Sequence, residues 1–347
     1  MQPATETLRG VVVGLGVMGT HHARLLSTIP GVQLVAAVDL DAGRRAAAAE
    51  TFPHAHVHGT LEEALAAHAL DFAAVAVPVD HLPTVARAAL EAGLHVLLEK
   101  PTAPTEEQAL ALADEAEARE LILGVGHIER FNPAVQLLKR KLDEGIIGGV
   151  LQMQARRLSP FPNRESMLGV ALDLATHDID VMRYLTGSEV ARVYAETEQR
   201  VHERAEDLLC ATLRFENGTT GLLEVNWITP AKVRQLSVTG ERGMLTLDYL
   251  SQEVCFYEHP SRATDWDALA AMRGGGEGDM IRFALDRHEP LRQEWQGFIA
   301  AVRAGTPAPV TARDGAAALS TAHAIRRAGA SHMVVVPTYR GVAHEPA

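Results

Sequence analysis

The sequence predicts an α/β protein that begins with a doubly wound parallel sheet and continues into a second, α+β domain with a large, mostly antiparallel open sheet. Three observations support this prediction. Three β-branched residues, Val11 to Val13, lead directly into a glycine-rich turn. Short apolar strands then alternate with helices as far as about residue 126. From residue 190 onward, strand follows strand with hairpin turns between them.

The turn contains Gly14, Gly16 and Gly19 in the spacing G-x-G-x-x-G, between a predicted strand and a predicted helix. Gly14 allows the tight turn, Gly16 leaves room for a pyrophosphate, and Gly19 lets the helix lie close to the strand. The N–H groups at the positive end of the helix would bind the pyrophosphate. We therefore predict a Rossmann domain in which this turn, with Val17 and Met18, binds a dinucleotide.

Asp39 ends the second predicted strand, about 20 residues after Gly19. A carboxylate at this place accepts hydrogen bonds from the adenosine ribose and repels a 2′-phosphate. We therefore predict NAD rather than NADP as the cofactor. Arg44 and Arg45 follow closely and would weaken this preference. The alternative is a structural glycine turn in which Asp39 caps a helix.

Composition and charge limit the binding partners and the metal or thiol sites that we expect. The net charge of −12 argues against nucleic acid, and the absence of an apolar signal core or membrane span predicts a cytoplasmic protein. Cys210 and Cys255 lie in apolar runs and are expected to be reduced core thiols. His54, His56 and His58 alternate along a predicted strand edge, but no carboxylate or cysteine accompanies them at ligand spacing. We therefore predict no metal site.

Polar residues follow two apolar strands of the first domain. Pro78 comes after FAAVAV, and Glu99 and Lys100 come after LHVLL. Because ligands bind beyond the carboxyl ends of parallel strands, we expect all three residues to contact the cofactor. Lys100 is also placed to hold or deprotonate a substrate hydroxyl. The alternative is an ordinary surface lysine on a loop.

The turn GLGVMG and the run ALEAGLHVLLEKP resemble the glucose–fructose oxidoreductase/inositol dehydrogenase (Gfo/Idh/MocA) family. Its members are two-domain, nicotinamide-dependent sugar and polyol dehydrogenases, and the resemblance extends from residue 10 to about residue 330. It implies that Lys100, in the sequence EKP, contacts the reacting hydroxyl. The chain departs from the family at Leu82, where a histidine is common; His81 lies one residue earlier.

A helix predicted over residues 168–185 carries Asp173 and His177 four residues apart, and therefore on one face. Asp180 lies three residues beyond and near the same face. A carboxylate one turn from an imidazole is a common arrangement for an oriented general base, although a locally satisfied histidine is the alternative. The pattern D-x-x-x-H-x-x-D also resembles the signature helix of the family's second domain. This resemblance implies that Asp173 and His177 approach the substrate opposite Lys100.

GHIERFNPAV and VRQLSVTGERGMLTLDYLSQ resemble the sugar-nucleotide branch of the family, and in particular its UDP-N-acetylglucosamine 3-dehydrogenase-like members. They imply oxidation of the C3 hydroxyl of a UDP-N-acetylhexosamine. Arg130 and Asn132 are expected to bind a diphosphate or sugar hydroxyls. Arg156, Arg157 and Arg164 add positive charge. Any one of these arginines could instead pair with a surface acid.

Three other functions stay open at this point: a dehydrogenase of a free sugar or inositol, an NAD-dependent glycosidase, and a non-catalytic nucleotide sensor. The sequence does not decide whether Lys100 or His177 takes the proton. We place the Rossmann domain at 1–126 and the substrate-binding and oligomerisation domain at 127–330.

Within the second domain, the helices of residues 286–330 are expected to pack back, and residues 331–347 are expected to form a C-terminal tail. One face of the antiparallel sheet should pack on helices. The family resemblance implies that the open face of this sheet joins subunits into a homodimer or homotetramer.

Overall fold

The computed structural model describes residues 7–162, 168–259 and 278–338. The predicted fold class is confirmed: a parallel sheet of six strands is followed by a mostly antiparallel sheet of eight. Across the described ranges, each helix is too short or too polar to cross a membrane.

The chain forms two compact units, and the first is discontinuous in sequence. It combines the residues up to 128 with residues 291–319, whereas the second combines residues 129–290 with residues 320–338. The sequence predicts that residues 286–330 belong to the second domain. The structure instead assigns residues 291–319 to the first unit.

The first unit contains a six-stranded parallel sheet in the order β3-β2-β1-β4-β5-β6. Its strands are β1 (Leu8–Val13), β2 (Val32–Val38), β3 (His56–His58), β4 (Phe72–Val75), β5 (His95–Leu98) and β6 (Leu123–Val125). Its first five helices are α1 (Val17–Leu26), α2 (Ala42–Thr51), α3 (Leu61–Ala67), α4 (Leu82–Glu91) and α5 (Glu106–Ala118).

Strand β1 occupies the middle of this sheet because both of its faces are apolar. Val11 and Val13 are buried in one core, and Val12 is buried in the core on the opposite face. The strand pairs in parallel with β2 on one side and with β4 on the other. Its end therefore delivers the glycine turn to the carboxyl edge of the sheet.

Helix α8 (Pro290–Ala304) belongs to the first unit because its large apolar side chains complete one of these two cores. Trp295 is fully buried, and its ring lies 5.6 Å from Phe72 and 5.6 Å from Phe298. Burying such aromatic side chains contributes several kcal/mol, at about 25 cal/mol per Å² of apolar surface. This packing explains the difference from the predicted domain boundary.

The second unit contains an eight-stranded sheet in the order β14-β13-β12-β11-β7-β10-β9-β8, in which only β7 and β10 pair in parallel. Its strands are β7 (Val150–Leu158), β8 (Val190–Glu198), β9 (Leu208–Phe215), β10 (Thr220–Asn226), β11 (Val233–Gly240), β12 (Gly243–Asp248), β13 (Glu253–Glu258) and β14 (Met280–Arg282). Its helices are α6 (Pro133–Asp143) and α7 (Thr176–Thr186), and α9 (Ala312–Ser331) begins in the first unit and ends in the second.

The two faces of this sheet differ in burial. On β7, Met153 and Ala155 are fully buried, whereas Gln154 points to the opposite, exposed face. Cys210 is exposed and Cys255 is half-buried, so the prediction of core thiols was wrong. Each lies in an apolar run, but at the alternate positions that face outward.

Burial of a histidine links the stability of the first unit to pH. His95 begins β5, and its Nδ1 accepts the N–H of Ile122 at 3.0 Å. Burial lowers the pKa of His95 from 6.5, partly opposed by the Asp71 carboxylate. Because the unfolded chain then binds more protons, the free energy of unfolding should decrease as the pH falls below about 6.5.

We expect His95→Asn, which keeps an acceptor at the same place, to reduce this pH dependence. Urea unfolding at about pH 7.5 and about pH 5.5 would measure it for both proteins. An identical loss of stability in the two proteins would show that His95 does not contribute.

Candidate active site

Backbone contacts fix the glycine turn at the end of β1. Gly14 has a φ of +92°, and a Cβ there would lie 2.5 Å from the carbonyl oxygen of Ala76. A Cβ on Gly19 would lie 1.6 Å from the carbonyl oxygen of Gly14. Both positions therefore need glycine for the fold itself, as the motif predicts.

Gly16 differs because a Cβ there would meet only Arg44, at 4.0 Å. Gly16 is also the N-cap of α1, and no side chain caps the first turn of that helix. Val17 is 78% exposed and Met18 is half-buried at the same helix end. Open space above Gly16 and uncapped N–H groups fit a dinucleotide pyrophosphate.

Asp39 holds the turn from the next strand. Its carboxylate accepts the N–H of Leu15 at 2.7 Å and the N–H of Asp41 at 2.8 Å. Asp41, and not Asp39, is the N-cap of α2, since its side chain accepts the N–H of Arg44. The Arg44 guanidinium lies 3.6 Å from the Asp39 carboxylate. The Asp39 carboxylate and the Arg44 guanidinium thus lie close to each other beside the glycine turn.

Glu99 and Lys100 follow β5, and both are half-buried; Pro78, beyond β4, is exposed. The Glu99 carboxylate lies 2.9 Å from Nε2 of His22 and accepts the Lys100 N–H at 3.3 Å. The carboxyl ends of β1, β2 and β5 therefore carry the glycine turn, Asp39 and Lys100 within one unit.

In the second unit, a π-helical turn (Ala171–Ala175) precedes α7. Asp173 lies in this turn and His177 lies in the first turn of α7. Both are half-buried, whereas Asp178 and Asp180 are buried. The structure thus leaves Asp173 and His177 on the more accessible side of the helix. Turns of this type are common at functional sites.

Asp180 does not accompany His177, because it is 1% exposed and forms an ion pair with Arg130. Nε and Nη2 of Arg130 each donate to this carboxylate at 2.7 Å, and the guanidinium lies 5.3 Å from the centre of the Tyr184 ring. Asn132 is the N-cap of α6 and accepts the N–H of Ala134. An anion would therefore have to compete with Asp180 for Arg130.

Arg156 and Arg157 are neighbours on β7 and point to opposite faces of the sheet. Arg156 pairs with Glu224 at 2.7 Å on the exposed face, so the structure does not bring it to the face that packs on α7. Arg157 is buried on that inner face and pairs with Asp178 at 2.6 Å. Arg164 lies outside the described residues.

The inner face of the sheet carries further charged residues, whose meeting there local sequence patterns do not predict. Arg157 also contacts Glu129 at 3.1 Å. Burial lowers the pKa of Arg157, but the two carboxylates outweigh this effect and raise it overall, so the guanidinium stays charged. A buried pair of this kind is costly to break, at about 3–5 kcal/mol when one partner is removed.

Arg234 lies opposite Arg157 in the β11–β7 pairing and is 8% exposed. It donates to the carbonyl oxygens of Leu158 and Val233, but forms no ion pair with another described residue. Burial and the neighbouring Arg157 charge lower the pKa of Arg234 to about 10, so it is positive at neutral pH. Arg234 is therefore a buried cation without a carboxylate partner among the residues that the structure describes.

Tyr249 completes this inner-face cluster. Its hydroxyl is buried and has no hydrogen-bond partner among the described residues, and Arg157 lies 5.3 Å from the centre of its ring. Burial and the Asp178 carboxylate raise the pKa of Tyr249, which keeps the phenol protonated. The sequence does contain one signal for this cluster. Charged residues occupy inward positions of strands whose other inward residues are apolar.

The histidines considered as metal ligands lie at the edge of the first sheet. His56 and His58 are on β3, and Nε2 of His58 lies 3.0 Å from Nε2 of His68. Over the ranges that the structure describes, no group of three or more suitable side chains is arranged to hold a metal ion.

Both units match known family models. Residues 8–127 match the oxidoreductase family with an NAD-binding Rossmann fold, and residues 135–246 match the GFO/IDH/MocA C-terminal domain. Inositol 2-dehydrogenase 1 of Saccharopolyspora erythraea is 31% identical over 93% of this chain and 94% of its own length. The chain belongs to the GFO/IDH/MocA family. It is an NAD(P)-dependent oxidoreductase that acts on CH–OH groups.

A second relative has a different substrate in its name. The UDP-N-acetylglucosamine 3-dehydrogenase of Acidithiobacillus ferrooxidans is 31% identical over 72% of this chain and 77% of its own length. A solved structure of that enzyme aligns with a TM-score of 0.82 and 27% identity, over 92% of this chain and 97% of the other. The comparisons thus give a family of sugar and inositol dehydrogenases rather than one substrate.

The glycine turn yields a matched pair of substitutions. We expect Gly16→Ala to fold normally but to bind NAD at least about tenfold more weakly, because its Cβ would enter the space for the pyrophosphate. Gly19→Ala should lose at least about 2 kcal/mol of stability through its clash with Gly14. Isothermal titration with NAD⁺ and urea unfolding measure the two effects. Equal NAD affinity in Gly16→Ala and the native protein would contradict this assignment.

Proposed function

We propose that the protein is an NAD-dependent dehydrogenase that oxidises the C3 hydroxyl of a UDP-N-acetylhexosamine. The observation that carries the chemistry is the half-buried pair formed by Asp173 on the π-helical turn and His177 in the first turn of α7, in a family of sugar and inositol dehydrogenases. The similarity in sequence and structure to the A. ferrooxidans UDP-N-acetylglucosamine 3-dehydrogenase supports the substrate.

In this proposal, Lys100 and His177 hold the reacting hydroxyl, and one of them takes its proton. Asp173 orients His177 and stabilises the charge that forms on the imidazole if it accepts the proton. Bound NAD⁺ supplies the hydride acceptor. The substrate loses a proton from oxygen and a hydride from carbon, and a ketone results. The protein contributes position and charge.

The charges of the second unit favour a substrate with an anionic part. Carboxylates already neutralise Arg130 and Arg157, whereas Arg234 has no such partner among the described residues. A diphosphate would satisfy a cation of this kind through charge-assisted hydrogen bonds. Substrate contacts by Arg130, Asn132 and Arg156 stay predictions.

A free polyol such as inositol is the second candidate substrate. The similarity to inositol 2-dehydrogenase 1 extends over nearly the whole chain. The UDP-N-acetylglucosamine 3-dehydrogenase has the same sequence identity to this chain, but over a shorter stretch. An inositol carries no anionic group and would leave Arg234 with only its two backbone carbonyl partners among the described residues. The two candidates therefore differ in whether activity requires a nucleotide diphosphate.

The proposed subunit contact is the exposed face of the second sheet. Tyr194 and Tyr257 are 40% and 38% exposed at outward positions of β8 and β13. Aromatic side chains of this kind are enriched at subunit interfaces. Pairing through this face would give a homodimer or homotetramer. A cytoplasmic location also stays a prediction.

The decisive assay mixes the protein with NAD⁺ and UDP-N-acetylglucosamine and follows NADH absorbance, with a carbonyl trap to draw the oxidation forward. Parallel samples contain free N-acetylglucosamine, glucose or myo-inositol. We expect NADH only with the nucleotide sugar, and a loss of at least about 100-fold in Lys100→Met and His177→Ala.

The other outcomes each identify a different function. NADH with myo-inositol or glucose would keep the dehydrogenase mechanism but discard the nucleotide sugar. Release of a leaving group without net NADH would indicate an NAD-dependent glycosidase. NAD⁺ binding without turnover of any substrate, unchanged in Lys100→Met, would indicate a sensor.

Cofactor choice gives a further prediction. Asp39→Ser should improve the use of NADP relative to NAD by at least about tenfold, because it removes the charge that repels a 2′-phosphate. Arg44→Ala should shift the preference the other way, since Arg44 lies 3.6 Å from Asp39 and would attract that phosphate. The ratio of kcat/KM for NAD and NADP measures both changes. Equal ratios in all three proteins would exclude this pair as the determinant.

A further inference from the structure

Three side chains from distant parts of the first unit form a hydrogen-bonded chain that ends beside Lys100. The indole Nε1 of Trp295 donates to Nδ1 of His22 at 2.9 Å, and the two rings meet edge to face. Nε2 of His22 lies 2.9 Å from a carboxylate oxygen of Glu99. Trp295 is fully buried and His22 is 2% exposed.

These hydrogen bonds fix which ring nitrogen of His22 carries the hydrogen. An indole nitrogen can only donate, so Nδ1 of His22 must be the acceptor and carries no hydrogen. The imidazole hydrogen is then on Nε2, where it points at Glu99 and donates to the carboxylate. A second proton on Nδ1 would face the N–H of Trp295. His22 is therefore a neutral donor, fixed in one tautomer by a tryptophan.

Glu99 is held on more than one side. Its second carboxylate oxygen accepts the backbone N–H of Lys100 at 3.3 Å. A Cβ on Gly126, the residue after β6, would approach the Glu99 carboxyl group to 3.2 Å, so the backbone there lies close to this carboxyl group. The Glu99 carboxylate therefore contacts both His22 and the backbone of Lys100, and it links the two.

We propose that His22 is a positioning residue: it holds the Glu99 carboxylate, and through it the backbone of Lys100, in the place that the reaction requires. This inference rests on the proposed role of Lys100 in binding the reacting hydroxyl. His22 does not itself touch the substrate. Its effect is on the placement of Lys100, and small displacements of a reacting group are costly in rate.

Two substitutions of His22 separate positioning from simple packing. Gln places an amide N–H where Nε2 stands and keeps the donor to Glu99. Asn places its oxygen where Nδ1 stands, so it keeps the acceptor for Trp295 but is too short to reach Glu99. We expect His22→Asn to lower kcat by about 10- to 100-fold with little change in KM, and His22→Gln to stay within about threefold of the native value.

The neighbouring His21 provides the control, because it is exposed on the same helix. His21→Gln should leave kcat and stability unchanged. If His22→Asn and His22→Gln lose kcat equally, in step with their thermal stability, the role is structural and the proposal fails. Full kcat in His22→Asn would also overturn it.

The tautomer itself can be observed without any turnover. In protein labelled with ¹⁵N-histidine, two-bond ¹H–¹⁵N correlation spectra should show an unprotonated Nδ1 for His22, identified by its absence in His22→Gln. Trp295→Phe keeps the aromatic packing but removes the indole N–H, and should release this tautomer. A protonated Nδ1 in the native protein would exclude the proposed arrangement.

The same assays keep the two proposals apart. If the native protein oxidises no substrate, the proposed function fails, while the tautomer measurement still tests the arrangement around His22. If the native protein is active and Lys100→Met retains full kcat, Lys100 does not have the proposed role. The proposal that His22 positions Lys100 is then excluded as well.

Discussion

The backbone contact between Gly14 and Gly19 is the constraint on which the first unit depends. No side chain fits between these residues, so the end of β1 and the start of α1 lie in van der Waals contact. The contact turns the helix N-terminus toward the carboxyl edge of the sheet, where Asp39 binds the turn through Leu15. The turn that we propose to hold the cofactor is thus shaped by a close backbone contact, and the Asp39 carboxylate holds it from the next strand.

The second unit differs from the first because it buries charged residues between its sheet and a helix. Arg157 and Asp178 neutralise each other there, as do Arg130 and Asp180. Burying each ion pair costs desolvation free energy. Its main effect is to destabilise packing arrangements in which one charged partner would be buried without the other. The register of β7 against α7 is therefore specified by charge as well as by apolar packing. Asp173 and His177 remain on the accessible side of the same helix.

Local patterns were enough to predict most of the fold. The succession of strands after residue 190 and the glycine turn before α1 depend on neighbours in sequence, and the structure has both at the predicted places. The four-residue spacing of Asp173 and His177 is equally local, and both side chains are half-buried in the structure. The pairing of Arg157 with Asp178 was not predictable, because it depends on how a strand and a helix meet in three dimensions.

The sequence-based errors have a common physical origin. Cys210 lies in an apolar run, but burial alternates along a strand and hydrophobicity alone does not say which side faces out. The packing of Trp295 on Phe72 joins segments that are far apart in sequence, and no spacing rule covers such a contact. The same limit concealed His22, whose partners are Glu99 and Trp295.

The discontinuity of the first unit has a consequence for synthesis on the ribosome. Its sheet is complete once β6 has been made, yet the apolar surface around Phe72 stays uncovered until α8 follows. At about 5–20 residues per second, the intervening chain takes on the order of ten seconds or more to synthesise. During that interval, the apolar surface around Phe72 lacks the cover that Trp295 and Phe298 of α8 provide in the finished protein. The core on this face therefore closes only after α8 has been synthesised, however early the strands pair.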